Sequence, residues 1–365
     1  MVQYRSVYEL TSITFQHAVL PAETLAMEHS KPISSHTVLP IGVAESGLTH
    51  SSSALPEIAS RYQLARDAGV FDFVNRSPPD AEFRAVLHAV ESTGMPVLAG
   101  TFIYTAGRDE PLFERNIIKG RLLGSTLHDV QLATHHADGH PLSDDEVADW
   151  YLRCHDFAGR HEITVGFEVH VNTWTEHFGR VSAVAQRVAQ RGVAFGLTFD
   201  PSHVIFKIDN PAELKIQNLG EDVAAGRVVI DPRVPGNILH EWINAGYVVH
   251  CHARAAVPGN PVNIWASHPD GSHGRGIQYP LIKPGADEWH SPWEPDRLTA
   301  WKDAIRYLLT RHASRADSRL RAVTCEFIPA IDYGGGARYS ILAQNIACAN
   351  WLRGEISMLA TDSSK

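Results

Sequence analysis

Only four cysteines occur in the 365 residues, Cys154, Cys251, Cys325 and Cys348, and none of them forms a paired spacing. That excludes a disulfide framework and a thiolate zinc site, and it suits buried thiols in a reducing compartment. A polybasic run is also missing and the net charge is −9, so the chain lacks the electrostatic footprint of a nucleic-acid binder. No apolar stretch is long enough for a membrane span, and the N-terminus has neither a basic nor a hydrophobic signal region. A cytoplasmic location, without membrane or nucleic-acid partners, is the expectation. No Gly-rich dinucleotide turn follows an early apolar run. There is no internal repeat beyond the alternation described next, and no low-complexity segment except a short Ser-Lys tail.

Hydrophobic residues make up 44% of the chain, enough for a sizeable core without covalent staples. Short apolar runs alternate with segments of helical period, the rhythm of a parallel α/β architecture. Strands are expected near 38–44, 70–74, 96–104, 129–134, 164–171, 193–200, 247–252 and 322–328. Helices are expected at 55–68, 81–92, 112–123, 144–159, 180–191, 237–245, 295–313 and 337–353. Gly69, Gly94, Gly192 and Gly246 each follow a helix and suit a left-handed cap. Eight such units predict a single (β/α)8 TIM barrel over 1–365, since one barrel needs about 250 residues and the rest fits insertions. The surplus falls in an N-terminal extension, 1–37, and in a lid-like insertion after the seventh strand, 253–294. That insertion carries Trp265, Tyr279, Trp289 and Trp293, which a flexible linker seldom does. An open doubly wound sheet is the alternative fold.

Strand side chains alternate faces, so residues two apart share one. In 193–200, Val193, Phe195, Leu197 and Phe199 oppose Ala194, Gly196, Thr198 and Asp200. In 164–170, Val165, Phe167 and Val169 oppose Gly166, Glu168 and His170. In 321–327, Val323, Cys325 and Phe327 oppose Ala322, Thr324 and Glu326. In 247–252, Val248, His250 and His252 share a face. Four successive strands thus end on Glu168, Asp200, one of two histidines, and Glu326, which describes an oxygen-rich site for a divalent cation at the carboxyl rim.

These motifs, Glu-x-His at 168–170, Asp-x-x-His at 200–203, His-x-His at 250–252 and the final-strand Glu326, resemble the xylose-isomerase-like TIM barrels of the sugar phosphate isomerase/epimerase superfamily. The resemblance implies one divalent cation, Mn2+ with Mg2+ or Co2+ as alternatives, held by Glu168, Asp200, His252 and Glu326. It makes Glu168 and Glu326 the catalytic acid–base pair of a sugar isomerase or epimerase, working through a metal-stabilised enediolate on a small carbohydrate. His203 would hold a substrate oxygen, and His170, His250, Trp174, Arg254, His136 and His273 would line the substrate's surroundings. A homo-oligomer or a small partner subunit would be in keeping with similar barrels. Two other activities share the scaffold: a lyase that cleaves 3-oxo C-glycosides with a small partner subunit, and an apurinic-site endonuclease. The endonuclease would recruit His135, His136, Asp270 and His273 to further zinc ions.

Each residue also has a plain structural reading. Asp200 before Pro201 caps turns readily. Glu168 and Glu326 would suit ion pairs with Arg180 or Arg254, and Trp174 suits packing under a loop. His250 and His252 are not separated by parity alone. Many members of the family carry Lys-Asp after the seventh-strand histidine, where this chain has Ala253-Arg254-Ala255. The glycines of the Asp-Tyr-Gly-Gly-Gly-Ala-Arg run at 332–338 would let backbone N–H groups approach a ligand, or would form a loose turn.

Overall fold

A computed structural model of the chain describes residues 39–51 and 54–362; the expected extension at 1–37 lies outside the described residues. The barrel strands are β1 (Ile41–Ala44), β2 (Phe73–Asn75), β3 (Val97–Tyr104), β4 (Leu127–Leu132), β5 (Thr164–Glu168), β6 (Leu197–Phe199), β7 (Val248–Ala253) and β10 (Ala322–Cys325). All neighbours run parallel, and β1 pairs with β10 to close an eight-stranded barrel. Each expected strand segment overlaps one of these strands, with β2, β4 and β7 running one or two residues past the expected bounds, and helices intervene between them. The fold is a (β/α)8 TIM barrel.

The apolar faces read from the sequence pack outward under the helices. Phe167 meets Tyr151 and Trp150 of the helix Asp144–Arg160, with ring centroids 5.0 and 6.0 Å apart. That helix starts at a capping box, with Ser143 and Glu146 satisfying each other's free backbone N–H groups. The barrel interior is filled by the opposite faces. Asp129 of β4 lies beside Gly166 of β5, and a Cβ on Gly166 would sit 2.4 Å from Thr198 Oγ1. The missing side chain leaves space for Thr198 to donate to Asp129 at 2.6 Å.

β6 is shorter than expected. Before Leu197 the Gly196 carbonyl still accepts from the Phe167 N–H of β5, but other backbone groups turn to side chains. The Gly196 N–H donates to the Tyr151 hydroxyl, and the Phe195 carbonyl accepts from Arg319. Gly69, Gly94, Gly192 and Gly246 all take positive φ, as their positions after helices require.

The 253–294 insertion carries a small antiparallel ribbon, β8 (Asn263–Ser267) with β9 (His273–Gly274). Charged contacts anchor it. Arg275 pairs with Glu213 and Glu176, which also bind the buried Lys207. Asp332, after β10, accepts from the backbone N–H of Arg275 at 3.0 Å and contacts His268 at 2.8 Å. The aromatic residues of the insertion pack largely on one another, Trp289 touching Trp265 and Tyr279, and Trp293 donating to the Pro280 carbonyl. Among the described residues, no helix is long and apolar enough to cross a membrane.

Candidate metal centre

The carboxyl ends of β5, β6, β7 and β10 bring Glu168, Asp200, His252 and Glu326 together. One donor atom from each lies within 4.8 Å of a donor from every other. His252 Nδ1 is 3.0 Å from Glu168 Oε1 and 3.2 Å from Glu326 Oε2. Asp200 and His252 are fully buried, while Glu326 is 9% exposed. Burial opposes the charged form of His252, but Glu326 and Glu168, with hydrogen bonding to Asp129 and Glu168, raise its pKa well above the ordinary value. Burial likewise works against ionised Glu326, and His252 with Arg254 more than offset it, lowering its pKa.

Each ligand-type side chain has a second partner that fixes its aim. Gln131 donates to Glu168 Oε2 at 2.9 Å. Ser202 donates to Asp200 Oδ1 from both its N–H, at 2.9 Å, and its hydroxyl, at 2.6 Å. Asp129 Oδ2 lies 3.2 Å from His252 Nε2, which leaves Nδ1 as the ring atom facing the carboxylates. Coupling of a histidine's far nitrogen to a carboxylate is the arrangement that steadies metal-binding imidazoles.

His250 is not at the rim. Its Nδ1 is 2.9 Å from Asp129 Oδ1 and its Nε2 is 2.9 Å from Thr324 Oγ1, so both nitrogens are spent one layer deeper in the barrel. The expected substrate contact from His250 is corrected accordingly. Trp174 is corrected as well. It is fully buried between Phe167 and Phe195, with centroids at 6.1 and 6.5 Å, on the outward parity of the strands. His136 sits on the loop after β4 against His140, and His273 is exposed on β9 near Ser267; neither meets the four converging residues. His135, His136, Asp270 and His273 form no common ligand cluster among the described residues.

His170 and His203 do border the site. Their rings are 4.3 Å apart, and the Tyr333 hydroxyl is 3.0 Å from His170 Nε2. Burial, His170 and Arg254 hold His203 well below the ordinary histidine range. Arg254 is buried in the site itself. It binds Asp200, donates to Glu326 Oε2 at 2.9 Å, and lies 4.3 Å from the Tyr333 ring centre. Arg180 instead pairs with Asp144.

Sequence reasoning passed over Asp129, Gln131 and Tyr333. The first two carried a signal: alternation along β4 puts Leu127, Asp129 and Gln131 on one face, and a carboxylate there is hard to explain as packing. Tyr333 comes from an irregular loop, where no periodicity applies. A separate cavity of ≈ 610 Å³ opens at the opposite rim, lined by Tyr151, Glu162, Arg319 and Arg321 among others. It contains none of the four converging residues.

No family model matches the chain, and no curated protein does. Many solved structures share its fold. An L-ribulose 3-epimerase gives a TM-score of 0.51 at 12% identity, covering 90% of this chain and 97% of its own. A xylose isomerase-like TIM barrel protein from Mycobacterium smegmatis, in complex with magnesium, gives 0.49 at 12% identity, covering 88% and 97%. The apo 3-keto-D-glucoside 4-epimerase of E. coli gives 0.45 at 15% identity, covering 87% and 100%. At such identities the likeness is one of fold alone, and what this chain shares with the L-ribulose 3-epimerase is the TIM barrel.

Proposed function

We propose that the chain is a divalent-metal-dependent isomerase or epimerase that moves a proton beside the carbonyl of a small carbohydrate. The observation that carries this reading is the convergence of Glu168, Asp200, His252 and Glu326, with Asp129 behind His252. Three carboxylates and one imidazole fit a hard or borderline cation, Mn2+, Mg2+ or Co2+, and not a thiophilic one. Buried carboxylates also need compensating charge, and Arg254 with a protonated His252 would supply two units against Asp129, Glu168, Asp200 and Glu326. Glu168, Asp200, His252 and Glu326 would hold the cation. What it supplies when bound is positive charge beside the substrate carbonyl, which makes the neighbouring C–H acidic.

The chain's own groups supply the proton chemistry. By resemblance to epimerases of the superfamily, Glu168 on β5 and Glu326 on β10, with β6 and β7 between them, would be the acid–base pair, one taking the proton and the other returning it on the opposite face. Gln131 steadies Glu168, and Arg254 steadies Glu326. His203, His170 and Tyr333 would form one wall; the ring nitrogens of His203 meet Val171 and Arg254 and those of His170 meet Val171 and Tyr333, so a substrate hydroxyl would bond them only by exchanging those partners. The alternative lyase reading would need the aromatic insertion to take a flat leaving group, but its rings mostly pack on one another.

A panel of ketoses, aldoses and inososes, incubated in deuterated solvent with Mn2+, tests this. Deuterium appearing at one carbon next to a carbonyl is the expected result, and loss of that exchange in Glu326→Gln should follow. Absence of exchange across the panel in protein shown to contain metal would overturn the proposed reaction.

A further inference from the structure

Outside the four converging residues, a second group of metal-type donors stands on the loop after β4, at the same end of the barrel. His136, Asp138 and His140 each present one donor atom within 4.8 Å of the others. Asp138 Oδ1 is 3.2 Å from His136 Nδ1 and 2.6 Å from His140 Nδ1, so one carboxylate oxygen faces two imidazole nitrogens. The two rings stack 4.9 Å apart at 22°.

The loop is tightly built. The His136 N–H donates to the His140 carbonyl and the Gly139 N–H to the His136 carbonyl, both at 2.9 Å. Gly139 supplies the left-handed turn, with φ 97°. His136 lies against Gly107, where a Cβ would sit 2.1 Å from its Nε2. The ring therefore rests on bare backbone, with Nδ1 turned toward Asp138.

A further contact bears on the chemistry. His140 Nε2 is 2.8 Å from Glu146 Oε1, and Glu146 is itself fixed by the capping box. A carboxylate on the far nitrogen raises the donor strength of the near one and fixes its tautomer, as in carboxylate–histidine–metal groupings. Two imidazoles and a carboxylate suit Zn2+, Ni2+ or Cu2+ better than Mg2+. The cluster's exposure leaves further coordination positions to solvent or to a ligand.

We propose that His136, Asp138 and His140, backed by Glu146, form a second metal site for an imidazole-preferring divalent cation, separate from the barrel centre. It does not depend on the reaction proposed above. Bound metal would pin the β4 loop at the rim.

Zinc binding to the full chain tests it, by equilibrium dialysis against Zn2+ with metal content read by mass spectrometry. The Asp200→Ala variant removes the barrel centre and should retain one Zn2+ per chain. Adding His140→Gln or Asp138→Asn to it should weaken that binding at least tenfold, with unchanged circular dichroism. Zinc retained equally in these double variants, or no zinc in Asp200→Ala, would overturn the proposal and leave the cluster as a surface ion-pair network. Failure of the barrel centre would show separately, as equal zinc content in Asp200→Ala and the unaltered chain.

Discussion

Arg254 brings a fixed positive charge against both Asp200 and Glu326. A divalent cation held by those carboxylates would feel it. Charges of +1 and +2 about 5 Å apart repel by about 7 kcal/mol at an effective dielectric constant of about 20. The charged hydrogen bonds from Arg254 are worth roughly 1.5–3 kcal/mol each, but most of that value is present with or without metal and cancels from the binding comparison. Repulsion therefore decides. Arg254→Met should bind Mn2+ at least roughly tenfold more tightly in a competition titration, while melting at a lower temperature because two buried carboxylates lose their partner. Equal or weaker Mn2+ binding would show that Arg254 serves mainly to aim Asp200 and Glu326. At this scale the sequence was uneven in what it disclosed. Glu168, Asp200 and Glu326 announced themselves because each ends a strand on its non-apolar face. His252 and His250 shared parity and differ only in depth, which depends on register with β6 and β10. Asp129 had the right parity, yet its role rests on contacts with Thr198, His250 and His252, from strands remote in sequence.

Among the elements, the 253–294 insertion depends most on charge. Lys207 and Glu176 are buried to within 1% exposure, and Arg275 joins them to Glu213. Removing one partner of a buried ionic group costs about 3–5 kcal/mol. Arg275→Met should therefore loosen the insertion first, since the barrel strands do not use this network. Limited proteolysis should cut Arg275→Met within 253–294 at protease levels that leave the unaltered chain intact, and equal resistance would mean that aromatic packing alone holds the wall. The sequence disclosed that this segment is too aromatic for a linker, but not its anchor. Arg275, Glu176, Glu213 and Lys207 lie on four different stretches, and no local pattern joins them. The barrel elements were legible because periods of 2 and 3.6 residues are local properties, whereas the short β6 was not, since the residues before it bond Tyr151 and Arg319, which are remote in sequence.

For the whole molecule, stability should depend on pH through histidines buried in neutral form. Burial, only partly opposed by Asp129, lowers the pKa of His128 to about 4, and its Nε2 meets the Tyr104 hydroxyl at 2.8 Å. The unfolded chain holds the proton near pH 6.5 and the folded chain does not, so this contribution is complete above about pH 6.5 and is lost as pH falls toward 4. The difference is worth about 3 kcal/mol. Chemical denaturation of His128→Phe should show a smaller loss of stability between pH 7 and pH 4.5 than the unaltered chain, and an identical loss would remove His128 from the account. Whether the barrel centre holds a cation is read from metal content. Purified protein reconstituted with Mn2+, and Asp200→Ala and Glu326→Ala beside it, would be measured by mass spectrometry with His140→Gln present throughout to silence the rim cluster. About one Mn2+ per chain is expected in the parent, lost in both barrel variants. No bound Mn2+ in the parent, or equal Mn2+ in all three, would contradict it.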